Sequence, residues 1–227
     1  MAYFCLFTTT MKKLILFTAC IFASFVFYSQ DLTGFGIDGS KYLPQGIHLK
    51  SKAPYISGIS GIGEKFDGRM ELRDGPIVLT FIQGSWSEES QARVEFFKKH
   101  AAEFAEKNAR VVIVSPEQAE KVQTLAEGDP DNLLIISDHQ YQTMKGFDVL
   151  YHVLPEYQEE LLSKNGVKLT SKGKGSAVLP VMATFVITKS GSVYGRHFDL
   201  DPSVLPNFEE IFAAIPKPRL DFHQKDK

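Results

Sequence analysis

The chain has 227 residues, of which 44% are hydrophobic and 23% are charged, and its formal net charge is −2 at pH 7. This composition excludes a disordered chain and is sufficient for one domain with a full apolar core. The near-neutral charge, without a basic stripe, argues against a nucleic acid partner.

Residues 1–29 have the pattern of a secretory signal peptide. Lys12-Lys13 precedes an apolar stretch from Leu14 to Tyr28, and the small residue Ser29 precedes a polar segment. Met11 is an alternative start, because residues 1–10 add an uncharged apolar extension ahead of the two lysines. The apolar stretch is short for a membrane span. We therefore predict an exported protein, periplasmic or secreted, with no membrane span after cleavage of the signal.

The two cysteines of the sequence, Cys5 and Cys20, both lie in this leader. Cleavage after Ser29 would leave a chain without a thiol, which cannot form a disulfide in an oxidising compartment. Cys20 is an alternative lipid-attachment site. The apolar run continues past Cys20 to Tyr28, however, and this favours ordinary cleavage near Gln30.

Residues 30–75 are rich in glycine, proline and turn pairs, and they predict an irregular extension with short strands. Within it, the glycine-rich segment Gly58–Gly63 resembles a phosphate-binding loop. The segment lacks the Lys-Ser/Thr that such a loop needs, and no clear strand precedes it. We therefore interpret it as a turn.

From residue 76 onward, apolar runs alternate with amphipathic segments. Buried strands are predicted at Ile77–Ile82, Arg110–Val114, Leu133–Ile136 and Ala183–Ile187, and a turn joins the last to an antiparallel partner at Val193–Phe198. Helices are predicted at 87–108, from the N-cap Ser115 with Pro116 next, and at 140–147, 155–164 and 208–215. Residues 166–176 are expected to form a surface loop and 216–227 a polar tail. This order predicts an α/β domain over 76–215, with a thioredoxin-like layout of a central mixed sheet, helices on both faces and a C-terminal β-hairpin plus helix.

Five segments of this region carry a resemblance to a known family. They are Lys52-Ala53-Pro54, Gly75–Phe81, Ser115–Gln118, Leu134–Asp138 and Leu179–Ile187. In order and spacing they resemble the peroxiredoxin-like branch of the alkyl hydroperoxide reductase/thiol-specific antioxidant family, from about Lys52 to Ile215. The resemblance implies a thioredoxin fold and thiol-dependent peroxide reduction, which is an antioxidant oxidoreductase activity.

The departures from the family pattern fall at its reactive site. Trp86 follows a buried strand, where thioredoxin-like proteins carry Trp-Cys-x-x-Cys, but the two cysteine positions hold Ser87 and Ser90. Met182 replaces a proline that lies near the active thiol in the family, and Tyr194 stands where the family often has arginine. The scaffold is therefore expected without its chemistry, because function depends on the site and not on the fold.

Serine cannot replace cysteine in this reaction. A thiolate attacks the peroxide bond and becomes a sulfenic acid, whereas a hydroxyl is a weak nucleophile without a neighbouring base. We therefore expect no catalytic residue at this site and predict that Ser85 or Ser87 caps the helix. Ser85 and Glu88 also fit a capping box.

The former reactive site is expected to leave a groove that binds a ligand or a protein. The candidate residues are Trp86, Ser87, Met182, Thr184 and Arg196. Arg196 either faces an anion near Ser87 or is an ordinary surface arginine. The histidines show no metal-ligand spacing, so no metal and no cofactor is expected. The pair His197 and Asp199 is interpreted as a hydrogen-bonded pair at a strand end.

These observations predict an exported, peroxiredoxin-like protein that has lost thiol chemistry and has a binding or scaffold role. Two alternatives stay open. The chain is a non-thiol enzyme that uses Ser87 with an unidentified base, or it is a non-catalytic subunit that modulates an active redoxin. The partner would then be another redoxin or an exported protein, and the sequence names neither the partner nor an oligomeric state.

Overall fold

The computed structural model of the chain describes residues 32–217 except 127, 129 and 170–175. The predicted signal peptide and most of the polar tail lie outside these residues, as does the centre of the predicted loop at 166–176. Among the described residues, no helix combines the length and the apolar character that crossing a membrane requires.

Nine strands are assigned in the described residues. They are β1 Ser57–Ser60, β2 Lys65–Asp67, β3 Ile77–Phe81, β4 Arg110–Ser115, β5 Leu133–Ser137, β6 Leu150–His152, β7 Val178–Pro180, β8 Thr184–Ile187 and β9 Val193–His197. A 3-10 helix spans Leu32–Phe35. The α-helices are α1 Gly68–Asp74, α2 Glu88–Lys99, α3 Ala101–Glu106, α4 Ala119–Leu125, α5 Gln142–Gly146, α6 Pro155–Asn165 and α7 Phe208–Ala214.

Seven of the strands form one mixed sheet in the order β2-β1-β5-β4-β3-β8-β9. The central strands β3, β4 and β5 are parallel, and their continuous apolar runs are buried on both faces. The hairpin β8-β9 adds to β3 in the antiparallel sense. At the other edge, β1 and β2 add in the antiparallel sense to β5. The predicted α/β arrangement with a C-terminal hairpin and helix is confirmed.

The two faces of the sheet carry separate apolar cores, because side chains alternate between the faces along each strand. On one face, Val78 and Val186 pack with the helices α2, α3 and α7. On the other face, Leu79 and Phe185 pack with residues around α5 and with the small sheet formed by β6 and β7. The start of α2, with Ser87 and Ser90, belongs to the first face.

Several predicted elements differ from the structure. The helix predicted over 87–108 is two helices that meet at His100, whose ψ of 10° departs from helical geometry. Ser115 is not an N-cap but the last residue of β4; its hydroxyl accepts the Glu117 N–H at 3.2 Å in a local turn, and α4 begins at Ala119.

The region before residue 76 contains more regular structure than its composition predicts. The first three residues of Gly58–Gly63 belong to β1, and the predicted turn is limited to the residues that lead into β2. The helix α1 follows, with Asp67 as its N-cap.

The short strands β6 and β7, later in the chain, are also not predicted from the sequence, because each has three residues and forms only through pairing with the other.

Candidate functional site

The candidate site lies where β3 ends and α2 begins. The connecting residues are Gln83, Gly84, Ser85 and Trp86. Gly84 has a φ of 142°, and a Cβ at this position would lie 2.5 Å from Nε1 of Trp86. Glycine therefore lets the indole ring fold back over the backbone of the turn.

Ser87 is the N-cap of α2. Its Oγ accepts the Ser90 N–H at 3.2 Å and donates to the Glu89 carboxylate at 2.7 Å. Ser87 is only 3% exposed. Of the two predicted caps, Ser87 is therefore the one observed, and the predicted capping box between Ser85 and Glu88 is wrong. Ser85 instead bonds to a different loop.

Ser90, the predicted counterpart of the family's second cysteine, is fully enclosed. Its Oγ accepts the Gln83 N–H at 3.0 Å and donates to Sδ of Met182 at 3.5 Å. Ser90 and Met182 are 1% and 2% exposed. The Gln83 side chain continues inward and donates to the buried hydroxyl of Tyr151 at 3.0 Å. Protein groups thus fill the space around the Ser90 hydroxyl.

A buried arginine lies one turn further along α2 and was not among the predicted site residues. Arg93 is 1% exposed. Its Nη1 donates to Oγ1 of Thr184 at 3.4 Å, and its Nη2 donates to the Val204 carbonyl at 2.8 Å. Its Nε has no partner among the described residues. Thr184 also bonds Thr80, directly opposite it in β3, at 2.9 Å. Burial lowers the pKa of Arg93 to about 10, and the charge of Asp199 opposes this shift. Arg93 therefore stays charged at neutral pH.

The loop after β9 covers this arginine. The Val204 carbonyl also accepts a hydrogen bond from His197 Nε2 at 3.2 Å, while the Asp199 carboxylate accepts the Asp201 N–H at 2.9 Å. The predicted hydrogen bond between His197 and Asp199 is therefore wrong, since each bonds a backbone group of the loop. Burial, and secondly the Arg93 charge, lowers the pKa of His197.

Arg196 lies apart from the serines. It pairs with Phe185 across β8 and β9, whereas its neighbour His197 pairs with Thr184, so the two side chains leave opposite faces of the sheet. The Arg196 guanidinium donates to the Gln45 carbonyl and lies over the Phe198 ring. Arg196 thus faces away from Ser87, and Arg93 supplies the positive charge that is buried beside α2.

A cavity of about 500 Å³ opens beside Trp86. The ends of β3, β4 and β5 contribute to its wall, with residues such as Ser85, Glu117 and His139, and Val167–Leu169 form another side. Ser87, Met182 and Thr184 are buried and do not line it. The predicted groove residues therefore separate into Trp86, which borders an open space, and a closed cluster behind it.

The loop after β4 fixes this cavity wall. The Glu117 carboxylate accepts the Ser85 N–H at 2.6 Å and the Ser85 hydroxyl at 3.0 Å. This bridge ties the turn after β3 to the turn after β4. The sequence predicts Glu117 in the first turn of a helix. In the structure the helix begins at Ala119, and Glu117 lies in the loop before it, where it bonds Ser85.

The chemistry available to these residues is limited. The described residues contain no cysteine, and none of their His, Asp and Glu side chains form a group of three that would hold a metal ion. The hydroxyls of Ser87 and Ser90 are both donors and acceptors in protein hydrogen bonds. The arrangement stabilises the helix start and leaves an open cavity next to it.

Comparisons with known proteins agree with this architecture. Residues 49–196 match the AhpC/TSA family. Peroxidoxin BcpB from Mycobacterium tuberculosis superposes with a TM-score of 0.55 at 20% identity, over 76% of this chain and 96% of that protein. A peroxiredoxin-like protein from Aquifex aeolicus gives a TM-score of 0.55 at 15% identity, over 75% of this chain and 87% of that one.

A yeast mitochondrial 1-Cys peroxiredoxin gives a TM-score of 0.52 at 18% identity, over 73% of each chain. No curated protein sequence matches the chain. At these identities the structural similarity shows the fold, and the family match covers well over half of the chain. The predicted thioredoxin-like fold is confirmed, and the chain belongs to the AhpC/TSA family of peroxiredoxin-like proteins.

Proposed function

We propose that this protein is a member of the AhpC/TSA family that binds a ligand and does not reduce peroxides. The observation that carries the proposal is the helix start, where Ser87 and Ser90 are buried and hydrogen-bonded within the protein. A peroxidase of this family needs a thiolate there, because oxygen has no stable equivalent of the sulfenic acid. The cavity beside Trp86 is the proposed binding site.

The position and size of the cavity support this role. It lies outside the carboxyl ends of the parallel strands, which is the usual place for ligands in open α/β sheets. Its volume of about 500 Å³ is within the range of small-molecule sites. Export is part of the proposal and rests on the pattern of residues 1–29, which lie outside the described residues.

A serine-dependent enzyme is the second candidate, because the Glu89 carboxylate lies 2.7 Å from Oγ of Ser87. A carboxylate in this position is the one base that the described contacts offer to the hydroxyl. The same Oγ caps the helix and is 3% exposed, so a substrate would have to displace a structural bond to reach it. Binding at the open cavity therefore fits the geometry better.

Two assays test the proposal on the full chain. In a peroxidase assay with hydrogen peroxide, the full chain with dithiothreitol or thioredoxin should consume peroxide no faster than buffer. The variant Cys5→Ser/Cys20→Ser should behave identically, which removes the leader thiols as a source of activity. Turnover that persists with a metal chelator in the double variant would overturn the loss of peroxidase activity.

The binding role is tested with a library of small fragments of mixed charge, observed by ligand-detected NMR. The variant Val167→Trp puts a large side chain into the cavity wall, while Val204→Trp places the same side chain on the exposed loop over Arg93 as a control. Fragments should bind the wild type and Val204→Trp but not Val167→Trp. Equal binding to all three proteins, or to none, would refute the cavity as the site.

A further inference from the structure

We infer that the cavity beside Trp86 takes a small organic anion with an apolar body, such as a carboxylate on an aromatic or aliphatic chain. This inference rests on the proposed binding function and names the class of ligand. It follows from three features of the cavity wall: an aromatic and aliphatic surface, two lysines without a partner among the described residues, and a carboxylate that is already hydrogen-bonded within the protein.

The apolar part of the wall suits a hydrocarbon body. Trp86 and Tyr141 lie in the lining together with Val167, Leu169 and Leu179. Trp86 is half-buried against the core behind it, so one part of its indole ring is fixed and another faces the cavity. Ligand sites of this size are lined mainly by such side chains, with a few polar groups that set orientation.

The charged part of the wall is positive. Lys121 and Lys168 both line the cavity, and neither has a hydrogen-bond or ion-pair partner among the described residues. They come from different elements, since Lys121 lies in α4 and Lys168 follows α6. Because two ammonium groups lie on separate walls of one cavity, an anionic ligand could contact both.

The one carboxylate in the lining cancels only part of this positive charge. Glu117 accepts two hydrogen bonds from Ser85, one of them from the backbone N–H at 2.6 Å. These bonds hold its carboxylate at the turn after β3. With two cations and one anion the lining carries a net charge of +1, whereas the whole chain has a formal charge of −2.

Two further polar side chains complete a carboxylate site. Gln118 and His139 also line the cavity, and Gln118 lies next to α4 at its exposed N-terminal end. The two lysines would repel a cationic ligand, and a purely apolar ligand would make no use of their charge. An apolar anion satisfies the hydrocarbon wall and the ammonium groups together.

The test uses three compounds with one body and different charges: 4-phenylbutanoate, 4-phenylbutan-1-ol and 4-phenylbutylamine. Binding is measured by isothermal titration calorimetry and by the fluorescence of Trp86, the single tryptophan of the chain. We expect the anion to bind tightest and the amine weakest. The preference for the anion over the alcohol should shrink at about 0.5 M salt, because salt screens partly exposed charges.

Substitutions identify the lysines that are responsible. In Lys121→Gln/Lys168→Gln the affinity for the anion should fall by about 4- to 25-fold, at about two- to fivefold for each partly exposed charge. Affinity for the alcohol should stay within about twofold. Lys99→Gln, at the far end of α2, removes one positive charge away from the cavity and should leave all three affinities unchanged.

Each other outcome is informative. Equal affinity for the anion and the alcohol would leave a binding cavity but overturn the anion specificity. A loss of anion affinity as large in Lys99→Gln as in the double variant would show that overall charge, and not the cavity, attracts the ligand. Binding of none of the three compounds would overturn the inference, while the fragment library with Val167→Trp decides separately whether the cavity binds ligands at all.

Discussion

The capping role of Ser87 gives a quantitative prediction. In Ser87→Ala, the Ser90 N–H loses the Oγ that it donates to at 3.2 Å, and Glu89 loses a donor at 2.7 Å. An N-cap contributes about 0.5–2 kcal/mol to stability. The upper part of this range applies here, because Ser90 is 1% exposed and water cannot readily replace the lost acceptor. Glu89 is only half-buried, so solvent can satisfy its carboxylate.

We therefore expect Ser87→Ala to lower the free energy of unfolding by about 2 kcal/mol. With a urea m-value of about 2 kcal/mol/M, the midpoint of unfolding should fall by about 1 M. The measurement is equilibrium urea denaturation followed by far-UV circular dichroism. The m-value should not change, because the same surface is exposed on unfolding.

Ser85→Ala is the matched control for this measurement. It removes the same hydroxyl two residues earlier, but Glu117 keeps its bond from the Ser85 N–H, and no helix cap is lost. Its cost should be below about 1 kcal/mol, as for a partly exposed hydrogen bond. The reasoning would be refuted if Ser85→Ala destabilised the protein more than Ser87→Ala, or if Ser87→Ala had no effect.

Three further predictions concern the same region. In Ser87→Cys/Ser90→Cys, the helix N-terminus should lower the pKa of the first thiol modestly below about 8.5, although the charges of the two following glutamates oppose this shift. A disulfide should form between the two cysteines. A thiol titration that gives about 8.5 or higher would show that the surroundings do not favour a thiolate. Arg93→Met should lower the free energy of unfolding by less than about 1 kcal/mol, or raise it, because it removes a buried charge whose Nε has no partner among the described residues. A decrease of more than about 3 kcal/mol in urea denaturation would contradict this. The lowered pKa of His197 means that the unfolded chain binds a proton first as the pH falls through the ordinary value of 6.5, so stability should fall over the window from that value down to the lowered folded pKa. His197→Gln should flatten this part of the pH profile, and an unchanged slope would show that other groups produce it.

The sequence by itself determined the central architecture, because the strongest patterns were continuous apolar runs. Ile77–Phe81, Val111–Val114 and Leu133–Ile136 consist almost entirely of large apolar residues, and such runs are stable only when buried on both faces. The alternation of these runs with amphipathic helices predicts a parallel sheet, and the turn residues Lys189–Ser192 predict the terminal hairpin. The serines after Trp86 and the restriction of cysteine to residues 1–29 are read directly from the sequence, since they need no spatial information.

The tertiary structure alone decided the environment of each site residue. Arg93 lies on the buried face of α2 between Ser90 and Phe97, and this helical spacing could have indicated that it is buried. Its burial also depends on the loop that carries Val204. The register of β8 and β9 turned Arg196 away from the serines, because a shift of one residue moves a side chain to the other face. The cavity beside Trp86 exists because turns distant in sequence meet at one edge of the sheet, and long-range contacts of this kind leave no local pattern in the chain.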